Sequence, residues 1–199
     1  VVLFDVDVKK NKIRHIKPNV LFTLLIMLFL SMISFIAYSQ ANKYVLQAVY
    51  LEKFSRFVTW PEESEMEDIN KPFIILVIGE TPLSENLEQI YAVQKINGKK
   101  VEIKKIKGTE EIQNGHILFI AGTEKKNLSK ILEVTRQKPI LTVSSSPEFG
   151  EKGVLINFIE ENNKIRFEIN ESEVILSQLK MSFYLLNSAV IVKPINDNQ

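Results

Sequence analysis

The sequence predicts an α/β fold, a three-layer sandwich whose mainly parallel sheet ends in an antiparallel hairpin. Three observations carry that expectation. Residues 73–78 (FIILVI) and 117–121 (ILFIA) are unbroken apolar runs, as strands buried on both faces require. Each run is followed by apolar residues at helical spacing, the strand-then-helix alternation that builds a parallel sheet. Residues 139–170 then read as three successive strands. Val154, Ile156 and Phe158 alternate before the turn, Ile165, Phe167 and Ile169 alternate after it, and Asn162-Asn163 tolerates the left-handed backbone of a tight hairpin.

The chain has 199 residues, 45% of them apolar and 25% charged, with a formal net charge of +1. One globular domain is expected once an N-terminal segment is set aside. The near balance of charge and the scatter of basic residues argue against a nucleic-acid partner. Cysteine is absent, which excludes disulfides, zinc–thiolate sites and thiol catalysis.

The compartment is read from the N-terminus. Lys9, Lys10, Lys12, Arg14 and Lys17 precede an apolar run over residues 20–38, and Ala37-Tyr38-Ser39 places small residues where a signal peptidase reads. Residues 1–39 are therefore expected to be a leader and signal peptide, cleaved after Ser39 to release the domain 40–195 into the periplasm. The alternative is an uncleaved inner-membrane anchor facing the periplasm, because the apolar run is nearly long enough to span a bilayer. Contact with membrane is expected only through this segment. Residues 196–199 are expected to be a disordered tail.

Within the domain, residues 43–58 read as a helix stopped by Trp60-Pro61. Its apolar stripe is wider than one buried face needs. Most of that stripe belongs to a core, but Tyr50, Phe54, Phe57 and Trp60 are also the residue types that anchor interfaces, and they are the candidate partner-binding residues. The strand 73–78 leads through a turn at residues 79–84, a place where α/β proteins bind anions, to a helix carrying Leu83, Leu87, Ile90 and Tyr91 with Ser84 as its cap. Asn97-Gly98 turns the chain into a short, lysine-flanked edge strand over Val101, Ile103 and Ile106. The strand 117–121 precedes a helix with Leu128, Ile131 and Leu132. After the hairpin, Asn170 and Glu173 cap one C-terminal helix on which Leu176, Leu179, Phe183, Leu186 and Val190 share a face.

Catalytic chemistry finds little support. Ser144–Ser146 end a strand, yet no G-x-S-x-G elbow surrounds them, and His116 is the one histidine beyond the leader. The acidic run over residues 62–68 lacks the spacing of a metal loop. Adjacent pairs such as Glu160-Glu161 point apart on a strand, and Arg166 and Glu168 are expected to face water. No cofactor or metal is expected.

Several blocks resemble one family. VLQAVYLEKFSRFVTWP, FIILVIG, HILFI, ILTVSSSPEF, GVLINFIEENNKIRFEIN and LKMSFYLLNSA follow the order of the YfiR family of small periplasmic regulators. The resemblance implies a non-enzymatic protein that represses a membrane-bound diguanylate cyclase, and so cyclic di-GMP signalling, by contacting the cyclase's periplasmic sensor domain; dimerisation is also implied. Well-known members carry cysteine pairs that this chain lacks, and they favour a glycine where this chain has Gln178, which predicts unbroken helix there. The partner is expected to be the extracytoplasmic domain of a membrane sensor, either a diguanylate cyclase or a histidine kinase. A periplasmic small-ligand binding module stands as the alternative, with a hydrolase behind it.

Overall fold

The computed structural model describes residues 18–162 and 164–192. The basic segment 9–17, Asn163 of the hairpin turn and the tail 196–199 lie outside the described residues. The chain divides into two compact units, Val1–Ala41 and Asn42–Gln199. Helix α1, Pro18–Phe57, begins well before the expected residue 43, and Ser39, the expected processing point, falls inside its bounds. In the first unit Phe22 and residues 24–29 stand exposed. Among the described residues no helix is long and apolar enough to cross a membrane.

In the second unit α1 leads to β1 (Val58–Thr59), β2 (Phe73–Ile78), α2 (Leu83–Tyr91), β3 (Lys95–Ile96), β4 (Lys99–Ile106), β5 (Ile117–Ile120) and α3 (Leu128–Thr135). There follow β6 (Leu141–Ser144), β7 (Ile156–Glu161), β8 (Lys164–Asn170), α4 (Glu171–Leu176), β9 (Lys180–Met181), α5 (Phe183–Asn187) and β10 (Val190–Val192). The main sheet has the order β10-β8-β7-β6-β5-β2-β4-β3. β4, β2, β5, β6 and β7 are parallel neighbours, and β7 turns back antiparallel into β8. This is the α/β sandwich that the sequence predicts.

The apolar strands alternate between two cores. Phe73, Ile75, Val77, Ile117 and Phe119 pack with Ala48, Leu51 and Phe54 of α1 and Leu83 and Leu87 of α2. Leu76, Ile78, Leu118 and Ile120 pack on the other face with Leu128 and Ile131 of α3. Continuous hydrophobicity in these strands is thus the signature of helices on both sides. Tyr91 ties α2 to α1 by donating its hydroxyl to the Ala48 carbonyl at 2.8 Å, and burial raises its phenol pKa far above the usual range.

Three local expectations need correction. β4 is eight residues long, longer than expected, because it pairs with β2 along the six residues of that strand; β3 covers only its first two residues, so the remaining outer edge is open and lysine-rich. α2 is not capped by Ser84; it starts at Leu83, and the Thr81 hydroxyl accepts the Leu83 N–H at 3.2 Å. Most consequential, the single C-terminal helix is broken into α4, β9 and α5. Asn170 caps α4 as expected, accepting from Glu173 N at 3.1 Å. Ser177 then ends it: its hydroxyl donates to the Val174 carbonyl at 2.8 Å and accepts from Leu179 N at 3.2 Å. The freed segment pairs with β1 through Val58↔Met181 and Thr59↔Lys180, and Ser182 N donates to the Phe57 carbonyl at 2.8 Å, satisfying the last turn of α1.

Candidate functional site

The break in the C-terminal helix creates a groove. Because β9 fastens to β1, α5 restarts beside the C-terminal end of α1, its first turn fixed by Ser182, whose hydroxyl accepts from Leu185 N. Tyr50, Lys53, Phe54 and Phe57 of α1, Ile165, Arg166 and Phe167 of β8, and Tyr184, Leu185 and Ser188 enclose about 320 Å³. The floor is aromatic: Phe54 meets Phe167 edge-on at 4.9 Å between centroids and Phe158 at 5.5 Å, and Tyr50 lies 5.7 Å from Phe54. The lips are different. Phe57 is 41% exposed and Tyr184 75%; Phe183, outside the groove beside Tyr184, is also exposed. Lys53 sits 5.4 Å from the centre of the Tyr50 ring, and Arg166 pairs with Glu161, so two cations border an apolar trough.

Three of the four expected partner-binding residues therefore meet in one groove, with different exposures. Phe54 is buried and belongs to the core; Tyr50 is half-buried; Phe57 offers free surface. Trp60 lies elsewhere, buried against Phe73 at 6.0 Å and nearly perpendicular to it. Sequence reasoning missed Tyr184 and placed Phe183 on a buried stripe. The missed signal is Ser182, a cap residue that restarts the helix and shifts its phase, exposing Phe183 and burying Leu185.

A larger cavity, about 500 Å³, opens at the other end of the parallel strands, among Ser64, Lys71, Lys99, Gln113, His116 and Lys138. Lys71 pairs with the Glu65 carboxylate, and the other basic groups are held by the protein's own backbone. Lys99 is fully buried, and its Nζ donates to the carbonyls of Glu65 at 2.8 Å and Asp68 at 2.6 Å. Lys138 Nζ donates to the Ile112 carbonyl at 2.8 Å. His116 Nδ1 accepts from Ile74 N at 2.9 Å, its Nε2 lies 3.2 Å from the Ser64 carbonyl, and its ring stacks on Phe73 at 4.6 Å. Burial above all lowers its pKa.

His116 precedes β5, whereas Ser144 is the last residue of β6, at the far end and about 13 Å away at strand rise, with Ser145 and Ser146 beyond it. Ser144 instead donates its hydroxyl to the Ile120 carbonyl at 2.7 Å, so serine and histidine form no catalytic pair. The turn after β2 is filled from within: Thr123 Oγ1 accepts from Glu80 N at 3.1 Å, and a Cβ on Gly79 would lie 2.5 Å from that oxygen. Among the described residues no group of three or more His, Asp or Glu is placed to hold a metal ion. Glu168, expected to face water, is half-buried and accepts from Asn157 Nδ2 at 2.8 Å.

The family model described as YfiR/HmsC-like matches residues 44–190, well over half of the chain. The chain belongs to this family. A comparison with curated proteins finds no match. The span matched as YfiR/HmsC-like opens on the α1 residues of the groove and closes just beyond α5, so both walls of the groove lie within it. The expected continuous helix at Gln178 is overturned: this chain breaks there without the glycine, using Ser177, while Gln178 Nε2 donates to the Gln137 carbonyl at 3.1 Å.

Proposed function

We propose that the chain is an exported, non-enzymatic regulatory protein that represses a membrane-bound sensor, a diguanylate cyclase, by docking on the sensor's extracytoplasmic domain through the α1–β8–α5 groove. Family membership supports a periplasmic regulator of diguanylate cyclase signalling. The observation that carries the docking surface is the pairing of exposed Phe57 and Tyr184 across an apolar trough bordered by Lys53 and Arg166. Aromatic anchors beside the Lys53 ammonium suit a partner segment with apolar side chains and a neighbouring carboxylate. Release from the cytoplasm through the segment 1–39 completes this reading.

The test is an affinity capture from detergent-solubilised membranes of the source cell, with deletion of the protein read by cyclic di-GMP level. Recovery of a membrane sensor together with a rise in cyclic di-GMP supports the proposal. Capture of no sensor, with cyclic di-GMP unchanged on deletion, overturns it.

A further inference from the structure

The aromatic groove runs along an open edge of the sheet. β8 spans Lys164–Asn170, but β10 pairs only with its last residues, at Val190↔Glu168, Ile191↔Ile169 and Val192↔Asn170. Before that point Lys164–Phe167 have β7 on one side and no strand among the described residues on the other. Ile165, Arg166 and Phe167, successive residues of this stretch, all line the groove. Successive residues of a strand point to opposite faces, so a hollow over one face would meet only alternate ones. The groove therefore follows the strand's edge, with Tyr184, Leu185 and Ser188 as its far wall.

The ladder decides which main-chain groups that edge presents. Asn170 N donates to the Leu155 carbonyl at 3.1 Å, which fixes the phase of the β7–β8 pairing. Alternate residues of an antiparallel strand turn both main-chain groups toward the same neighbour. Glu168, Arg166 and Lys164 thus share the phase of Asn170 and face β7, whereas Ile169, Phe167 and Ile165 face outward. The register of β10 takes up Ile169 and the Phe167 carbonyl. The Phe167 N–H and both main-chain groups of Ile165 are left over, and no backbone segment among the described residues pairs with them.

A helix seated in the groove would shut these groups from water without pairing them, because its own main chain is bonded internally. An extended segment would pair them as an added strand. Phe167 points to the face that holds Tyr50 and Phe54, so alternate side chains of such a strand would enter the aromatic trough. The intervening ones would share the face of Lys164, which is exposed and whose opposite residue, Glu161, is taken by Arg166. A carboxylate suits those positions.

We propose that the partner docks by strand addition: an extended segment of the sensor's extracytoplasmic domain, apolar residues alternating with carboxylates, pairs along Lys164–Phe167 in line with β10. This rests on the docking reading above and specifies the form of its occupant.

The test measures main-chain amide exchange by proton–nitrogen spectra of the full chain, titrated with a short end-blocked peptide of alternating valine and glutamate. The same peptide N-methylated throughout is the control. Saturable slowing of exchange at Ile165 and Phe167, about tenfold or more, is expected with the first peptide and not with the second. Ile165→Pro removes an outward N–H that the β7 ladder does not use, a change an edge strand tolerates. It should weaken both peptide binding and sensor capture about tenfold while the urea midpoint is kept. No protection of these amides up to about 1 mM peptide would overturn strand addition. So would equal binding of the N-methylated peptide, or protection that grows with protein concentration alone, which would mean that a second copy fills the edge. If Phe57→Asp weakens sensor capture and Ile165→Pro does not, the partner docks through side chains, which overturns strand addition and leaves the docking reading standing. Capture unaffected by either variant would remove the groove itself.

Discussion

The cavity around His116 is larger than the aromatic groove, about 500 Å³ against about 320 Å³, and it is richer in titratable groups. Yet Lys99, Lys138 and His116 are all committed to backbone partners there, fastening the segment between β1 and β2 and the loop before β5 to the ends of the strands. The groove has few polar groups and leaves Phe57 and Tyr184 facing solvent. What distinguishes a binding surface from a structural joint is therefore unsatisfied contact area, since polar groups already paired within the chain have little left to offer a ligand.

The largest expected effect lies beneath the groove. Phe54→Ala should cost about 3–5 kcal/mol, because it empties the centre of the aromatic cluster. A near-normal urea midpoint for that variant would break the comparison by showing that the groove floor is not core. At the other hollow, Lys99→Ala should cost about 2–3 kcal/mol by leaving the carbonyls of Glu65 and Asp68 without their charged donor. Should this variant keep its stability but lose a regulatory output, the cavity would be a ligand site after all.

The next effect separates surface from core on one helix. Phe57→Asp should leave the melt nearly unchanged and weaken partner capture about tenfold, or ~1.4 kcal/mol, the scale of a significant anchor. Tyr184→Asp should act alike. Tyr50 is a poorer choice, because its ring contacts Phe54, Phe158 and Phe167 and its loss would mix folding with binding. Equal capture by Phe57→Asp and the unaltered chain would remove the groove from the docking surface.

How far these regions were legible follows from the kind of signal each carries. β2 and β5 declared themselves because burial on both faces leaves no polar residue in the run, and the β7–β8 hairpin did so through its alternation and its asparagines. The groove was half legible. α1 showed its aromatic surplus, but at residues 177–182 local periodicity still suited a helix, and the pairing of β9 with β1, distant in sequence, decided the outcome. Likewise no sequence pattern reveals that His116 reaches Ile74 and Ser64, since those contacts depend on neighbouring strands bringing remote loops together.

The smallest effect is the most specific test of the joint. His116 must be neutral for Nδ1 to accept the Ile74 N–H, and burial, helped by the nearby Lys99 charge, depresses its pKa below the ordinary 6.5. The unfolded chain takes up a proton near that ordinary value, whereas the folded chain does so only at lower pH. Unfolding therefore binds a proton in the interval, and stability must rise with pH across it. The full contribution is present above the unfolded value and is lost as pH falls toward the folded one. Carboxylates also titrate below this range, so the informative quantity is a difference: urea midpoints of the unaltered chain and of His116→Gln, compared from about pH 7.5 down to about pH 5. The unaltered chain should lose more stability over that range than the variant, which cannot titrate at this position, while partner capture, made at the other end of the strands, should show no matching difference. Parallel pH profiles would mean that the imidazole is not held neutral. A profile in which the histidine stabilises the chain more as pH falls would mean that it is protonated against a carboxylate, and the cavity would then contain a working charge rather than a joint.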